Sequence, residues 1–190
     1  LYILMGLLSR LGIRRFLEYL VRKDILYAKV SLGKNYIPFR AYKIRTMNYG
    51  ADEKRVVIGE DHLVDENGRQ VIDDRKLPNR CWMRRWGVDE WPQLYNVLEG
   101  EMSFVGLRPR EPYYWVQLEQ RRIGYMQRAL KFKPGLMPPE RTQKNTGNLD
   151  DFIDRSIEYL SQKERAPIKT DAKYAAKILW AKCVKGVRGE

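Results

Sequence analysis

The stretch Val88-Asp89-Glu90-Trp91-Pro92-Gln93-Leu94-Tyr95-Asn96-Val97-Leu98-Glu99-Gly100-Glu101-Met102-Ser103-Phe104-Val105-Gly106-Leu107-Arg108-Pro109 reads as a short amphipathic helix opened by two adjacent carboxylates. A tight apolar turn and an Arg-Pro come next. Trp91, Leu94, Tyr95 and Leu98 set the helical register, and Pro92 fits only in the first turn, where its missing N–H is not needed. Asp89 is then expected near the N-cap, where backbone N–H groups and the helix dipole hold a carboxylate ionised. The same helix end attracts phosphate. Two acids side by side in a basic chain call for a metal ion, a proton or a covalent adduct. A magnesium ion bridging Asp89, Glu90 and a diphosphate would supply the countercharge. On spacing alone, a capping acid followed by a first-turn acid is also an ordinary helix start.

On either side of this block the pattern is mostly helical. Residues 11–22 place Ile13, Phe16, Leu17, Leu20 and Val21 on one helical face and Arg14, Arg15, Glu18 and Arg22 opposite. Two short strands are predicted at 25–31 and 37–45 around Gly33-Lys34-Asn35, and Asn67-Gly68 marks a hairpin turn. Further helices are predicted at 112–130, at 149–163 with Asn148 as cap, and at 171–185 from Thr170 as cap to Gly186 as stop. Lys133 to Pro139 reads as an irregular loop. The fold class is α+β: a mostly helical single domain with short β-hairpins and membrane-associated amphipathic helices.

Composition narrows the partners. The 190 residues suffice for one buried core. The formal net charge is +12 and the pI is near 9.7, which favours an anionic partner: a nucleic acid, a phospholipid surface or a phosphorylated substrate. Arginines come as scattered pairs (Arg14-Arg15, Arg84-Arg85, Arg121-Arg122) rather than as a clustered patch, so nucleic acid is not expected. Cys81 and Cys183 have no metal-motif spacing and are too few for a disulfide framework, which points to reduced thiols in a cytosolic setting. His62 is the single histidine, which argues against a His-based triad or a His-rich zinc site. No membrane-crossing helix is complete, because the apolar run Leu1 to Leu8 falls far short of the ~20 residues a span needs. The chain opens on Leu rather than Met, which leaves room for a longer membrane segment upstream.

The central block closely resembles the catalytic core of the monotopic phosphoglycosyl transferases, bacterial sugar transferases that act on polyprenyl phosphate. Members carry Asp-Glu-Leu-Pro-Gln-Leu, then Asn-Val, then Gly-Asp-Met-Ser and Val-Gly-Pro-Arg-Pro. Tyr42-Lys43-Ile44-Arg45-Thr46-Met47 resembles the family's Tyr-Lys-Phe-Arg-Thr-Met strand. Lys133-Pro134-Gly135-Leu136-Met137-Pro138-Pro139 resembles a divergent branch with a Lys-Pro-Gly-Leu-Ile-Pro-Pro loop, and Thr170-Asp171-x-Lys173-Tyr174 and Lys185-Gly186-Val187-Arg188 fit that branch. The resemblance covers about residues 25–188. It departs at Leu107, where the family has proline. It departs most at 1–23, which lacks the proline of the family's re-entrant membrane helix and is interrupted by Arg10, Arg14 and Arg15. Residues 1–23 are therefore expected to be an N-terminal amphipathic helix, a remnant of a membrane anchor, ahead of a catalytic domain at 24–190.

The resemblance implies roles. Asp89 matches the nucleophile that takes a phosphosugar from a UDP-sugar and releases uridine monophosphate, and polyprenyl phosphate is the acceptor. Glu90 matches the second acid, tied to metal binding and acceptor activation, so Asp89 and Glu90 are also the expected Mg2+ ligands. Lys43 and Arg45 alternate onto one strand face and are expected to bind substrate phosphate. Arg108 and Pro109 are expected to do so from the turn, with Arg108 as a bidentate grip. The implied location is the cytoplasmic face of the bacterial inner membrane, against an anionic membrane surface. The basic last helix, with Trp180 beside Lys173 and Lys177, is either a second membrane contact or part of the core. The alternative reading is a non-catalytic basic module, a degenerate family member that docks on membrane or nucleic acid.

Overall fold

The computed structural model describes residues 2–48, 77–142 and 149–183. The predicted Asn67-Gly68 hairpin, the Asn148 cap and the Gly186 stop lie outside these residues. The first helix, α1, covers Tyr2–Arg22 and so begins well before the predicted 11. It shares a core with the first hairpin and the central block: Leu17 is buried, and Leu20 and Val21 pack with it against Leu26, Tyr42 and Tyr95. The predicted faces are partly reversed. Ile13 and Phe16 are exposed, whereas Glu18 faces the sheet, where Arg40 donates to it at 2.7 Å and the Tyr42 hydroxyl at 2.6 Å. Two strong donors replace the water that the hydropathy pattern assigned to this carboxylate.

Strands β1 (Leu26–Leu32) and β2 (Pro38–Ile44) form an antiparallel pair in register from Leu26↔Ile44 to Leu32↔Pro38, within a residue of the predicted bounds. Asn35, at the tip, takes φ +55, a conformation asparagine tolerates. Its N–H donates to Leu130 O at 2.8 Å and ties the hairpin tip to the helical half.

Two short helices carry the central block: α2 (Cys81–Trp86) and α3 (Gln93–Leu98). After strand β3 (Ser103–Val105) the predicted 112–130 helix divides into α4 (Pro112–Arg121) and α5 (Tyr125–Ala129). The break is at Gly124, φ +83. The Glu119 carboxylate accepts from the N–H groups of Gly124 at 2.6 Å and Met126 at 2.7 Å, capping α5. The segment expected as an irregular loop contains a strand, β4 (Gly135–Met137), which pairs with β3 in parallel register, Ser103↔Gly135 and Val105↔Met137. The second sheet is therefore a crossover pair rather than a hairpin, with α4 and α5 as the connection.

Helix α6 (Leu149–Arg165) presents the predicted face, with Ile153 and Leu160 fully buried and Leu149, Phe152 and Ile157 packed against the same core. Helix α7 (Pro167–Cys183) starts earlier than expected. Pro167 opens it, where a proline is well tolerated, so Thr170 is a buried residue of the first turn rather than a cap. No helix among the described residues is long and apolar enough to cross a membrane.

Candidate active site

Gly87 ends α2 in the left-handed conformation, φ +73, its N–H bonding to Arg84 O and Met83 O. This αL cap favours glycine and turns the chain into a separate 3-10 turn, Val88–Glu90, that holds the acid pair. Helix α3 starts only after Pro92. Asp89 is thus not the α3 N-cap that the sequence suggested, because the residues between it and Gln93 already close their own turn: Trp91 N–H bonds to Val88 O at 3.1 Å.

Of the four apolar residues that set the register, Tyr95 packs inward against Leu17 and Tyr42, and Trp91, Leu94 and Leu98 face outward. Trp91 and Leu98 are 63% and 69% exposed, while Glu90, Gln93 and Asn96 form the buried row. Asn96 explains the inversion. Its Nδ2 donates to Arg40 O at 2.8 Å and to Glu101 Oε2 at 2.6 Å, and its Oδ1 accepts from Tyr42 N–H at 3.3 Å. The polar face of α3 is consumed in binding the free edge of β2, which places the acid pair beside Lys43.

Glu90 is held from two sides. Lys43 Nζ lies 3.1 Å and Arg108 Nη2 2.7 Å from its Oε1. Asp89 is 8% exposed, yet no hydrogen bond or ion pair among the described residues holds its carboxylate. Burial, and then the adjacent Glu90 charge, push the Asp89 pKa up; Lys43, Arg84 and Arg108 pull the other way. The expected helix-dipole stabilisation of its ionised form is therefore overruled by desolvation and a like charge. Burial also pushes the Lys43 pKa down, against the pull of Glu90. Glu90 chiefly pushes the Arg108 pKa up.

Arg108 is presented by a turn without the family's first proline. Leu107 is buried in the helical core instead, and Gly135 N–H bonds to Leu107 O at 2.8 Å. The backbones of Gly106 and Gly135 pass so closely that a Cβ on Gly106 would sit 2.7 Å from Lys133 O. Pro109 comes next, half-buried, just before Arg110, whose guanidinium stacks on Tyr114 and Phe152.

Arg45 keeps to the face of Lys43, as the strand alternation suggested, since the ring it lies over belongs to Tyr27, the cross-strand partner of Lys43. It lies one residue beyond β2, and its described partners are Asp24, at 3.4 Å, and the Tyr27 ring. Two groups went unread in the sequence. Arg84 acts on Asp89; its only sequence signal was a place one turn ahead of Gly87, in a pair read as scattered charge. Glu140 adds its charge to Arg108, and both its carboxylate oxygens are shut from water without a hydrogen bond among the described residues. Extending the β3–β4 register puts Arg108 and Glu140 level, each three residues past its strand. That juxtaposition depends on a parallel pairing which no local pattern revealed.

No group of three or more His, Cys, Asp or Glu side chains forms a metal cage among the described residues. The carboxylate pair still fits magnesium, which is held by one or two carboxylates together with waters and substrate phosphates. Three cations (Lys43, Arg84 and Arg108) face three carboxylates (Asp89, Glu90 and Glu140) among the described residues, so the charges of the site balance before an ion binds.

The family model for bacterial sugar transferases matches residues 2–185. A galactosyl transferase, CpsE, from Streptococcus agalactiae is 28% identical over 153 residues, 77% of this chain and 33% of that protein. A UDP-glucose:undecaprenyl-phosphate glucose-1-phosphate transferase from Escherichia coli is 33% identical over 112 residues, 59% of this chain and 22% of that protein. A UDP-N-acetylgalactosamine-undecaprenyl-phosphate N-acetylgalactosaminephosphotransferase from Aeromonas hydrophila is 28% identical over 112 residues, again 59% of this chain and 24% of that protein. The chain thus spans about a fifth to a third of the length of these relatives. With the acid pair, its two cations and the Gly106–Gly135 crossing all inside the matched region, the chain belongs to the bacterial sugar transferase family.

Proposed function

We propose that the protein transfers a phosphosugar from a UDP-sugar to a polyprenyl phosphate through a covalent intermediate on Asp89, as an early step in making a surface glycan. The observation that carries this reading is the asymmetry of the acid pair. Glu90 is occupied by Lys43 and Arg108, while the carboxylate of Asp89, beside it, is engaged by no hydrogen bond or ion pair among the described residues. An unengaged carboxylate whose pKa is raised is the better nucleophile once ionised.

In the first half-reaction an Asp89 oxygen attacks the phosphorus that bears the sugar. The bond from that phosphorus to the bridging oxygen breaks, and uridine monophosphate leaves with the electron pair. In the second, an oxygen of the polyprenyl phosphate attacks the same phosphorus and the acyl-phosphate bond breaks, restoring Asp89. Lys43 and Arg108 hold Glu90 in place and lie where charge develops on the phosphoryl oxygens, so they need not reorganise during the step. Bound Mg2+, held by Asp89 and Glu90, would neutralise diphosphate charge.

The same reading puts the chain on the cytoplasmic face of the inner membrane, at an anionic lipid surface. It is supported by the apolar side chains that α2, α3 and the segment between them expose around the acid pair: Trp82, Trp86, Trp91, Leu94 and Leu98. Aromatic rings of this kind suit a membrane–water boundary.

The test is incubation with a panel of UDP-sugars and magnesium, without lipid, followed by intact-protein mass spectrometry and assay of uridine monophosphate. One sugar is expected to leave a single phosphosugar on the protein, and Asp89→Asn is expected to carry none. Turnover by Asp89→Asn would end the covalent mechanism. A basic docking module would release no nucleotide from any sugar.

A further inference from the structure

The motif Thr170-Asp171-x-Lys173-Tyr174 plays no part in the chemistry above, and the structure gives it a destination. Asp171 Oδ1 lies 2.9 Å from Lys163 Nζ and accepts from the Tyr159 hydroxyl at 2.9 Å. Tyr174 meets Tyr159 edge-on, with ring centroids 4.9 Å apart. Lys173 donates to Gln162 at 2.8 Å. All these contacts fasten α7 to α6 around one group, the ammonium of Lys163, which is 5% exposed. That ammonium has three acceptors: Asp171, the Tyr159 hydroxyl at 2.8 Å and the backbone carbonyl of Val105 at 3.1 Å.

The third acceptor is the informative one. Val105 ends β3, three residues before Arg108, and its carbonyl also accepts from Ser103 Oγ at 2.8 Å. From there each residue is fixed in turn: Gly106 against Gly135, Leu107 O by Gly135 N–H, Arg108 by Glu90. A buried charge that is fully hydrogen-bonded adds little net stability over an apolar replacement of the same volume. What an ammonium does here that a methyl group cannot do is fix the end of β3 at one height above α6.

We infer that Lys163 is a positioning residue for Arg108: with Asp171 and Tyr159 it fixes the Val105 carbonyl and so sets where the guanidinium meets phosphate. This rests on Arg108 being the phosphate clamp of the proposed reaction. It gives the C-terminal helix pair a role in the active site that no contact with the acid pair would suggest.

The test uses the full chain and uridine diphosphate with magnesium as the probe, its affinity measured by titration calorimetry in wild type, Lys163→Met, Arg108→Lys and the double variant. Circular dichroism and melting temperature establish folding. Lys163→Met is expected to bind uridine diphosphate about ten-fold more weakly, as is Arg108→Lys, and the double variant is expected to be scarcely worse than either. Distant residues that do not act through one another give additive effects, so a hundred-fold loss in the double variant would overturn the inference. Wild-type affinity in a folded Lys163→Met would overturn it too, because a purely structural lysine changes stability and not affinity. If Lys163→Met does not fold, Tyr159→Phe decides in the same cycle: it keeps the ring and removes one acceptor, with a roughly three-fold loss expected and unchanged affinity counting against. If Arg108→Lys alone leaves affinity unchanged, the clamp reading itself fails, which is a separate result.

Discussion

The side-chain amide of Asn96 stands in for a neighbouring strand to Tyr42: its Oδ1 accepts the Tyr42 N–H at 3.3 Å, and its Nδ2 donates to the adjacent Arg40 carbonyl at 2.8 Å. One fully buried residue thus docks the acid-bearing segment on the strand that carries Lys43. Asn96→Leu would leave a buried N–H, a carbonyl and the Glu101 carboxylate without their partner, at about 1–3 kcal/mol for each buried neutral group. The variant is expected to lose at least ~2 kcal/mol in urea denaturation and most of its activity. Wild-type stability would mean that the docking of α3 lies elsewhere.

The Gly106–Gly135 crossing makes a steric prediction. A Cβ on either residue runs into backbone of the other segment, and backbone cannot turn aside as a side chain can. Gly106→Ala and Gly135→Ala are each expected to cost about 3 kcal/mol or more, above the usual 1–3 kcal/mol for overpacking, and to displace Arg108. Gly12 in α1 is the control, with nothing within 4 Å of a Cβ. Gly12→Ala is expected to stabilise by roughly 0.5–1 kcal/mol. Thermal melts of the three variants check both signs.

Asp89 links pH to both rate and stability. Its pKa is raised by burial and by Glu90, so ionisation disfavours the fold. Below the ordinary carboxylate range Asp89 is protonated whether folded or unfolded and costs nothing. As pH rises the unfolded chain ionises first, and the full cost is present above the folded-state pKa. Asp89→Asn is therefore expected to melt higher than wild type at neutral pH while inactive, with the difference vanishing in acid. The acid limb of the wild-type rate profile is expected above the ordinary carboxylate range. Glu90→Gln, which removes the like charge, should move that limb to lower pH even as it slows the reaction. A limb that stays put in Glu90→Gln would show that Asp89 is not the titrating group.

What the sequence disclosed and what it hid divide by the range of the interaction. The β1–β2 pair and the buried face of α6 come from local alternation and helical periodicity, and both stand within a residue or so of expectation. The adjacency of Asp89 and Glu90 is visible in the chain itself. The family resemblance implies that Lys43 and Arg108 serve substrate phosphate, but their convergence on Glu90 spans 47 and 18 residues of chain and no periodicity encodes it. Arg45 shows how far alternation reaches: one residue past β2 it still lies over Tyr27, the cross-strand partner of Lys43, while the Asp24 contact comes from the turn before β1. The face of α3 was misread because periodicity identifies a stripe without saying which side is buried, and Asn96 settles that through bonds to a distant strand edge. Lys163 was invisible for the same reason, as a lysine in an amphipathic helix whose acceptor is a carbonyl 58 residues away.

That outward stripe is the basis of a final prediction. Trp91 and Leu98 project from the segment that carries the acid pair, 63% and 69% exposed, with a positively charged chain behind them. If this surface meets the lipid leaflet, apolar contact and attraction to anionic headgroups contribute separately. Salt screens the second and leaves the first. Burying a leucine side chain is worth about 1.5–3 kcal/mol, so Leu98→Ser is expected to weaken binding to anionic vesicles about ten-fold or more, with Trp91→Ser at least as severe. Neither side chain is buried in the protein, so both variants should keep wild-type stability within about 0.5 kcal/mol. Vesicle flotation at low and high salt separates the contributions: the serine variants should lose the salt-resistant part of binding and retain the salt-sensitive part. If both variants float like wild type in high salt, the stripe does not face the membrane and the attachment must be sought on another surface, with the exposed Ile13 and Phe16 of α1 next to be substituted.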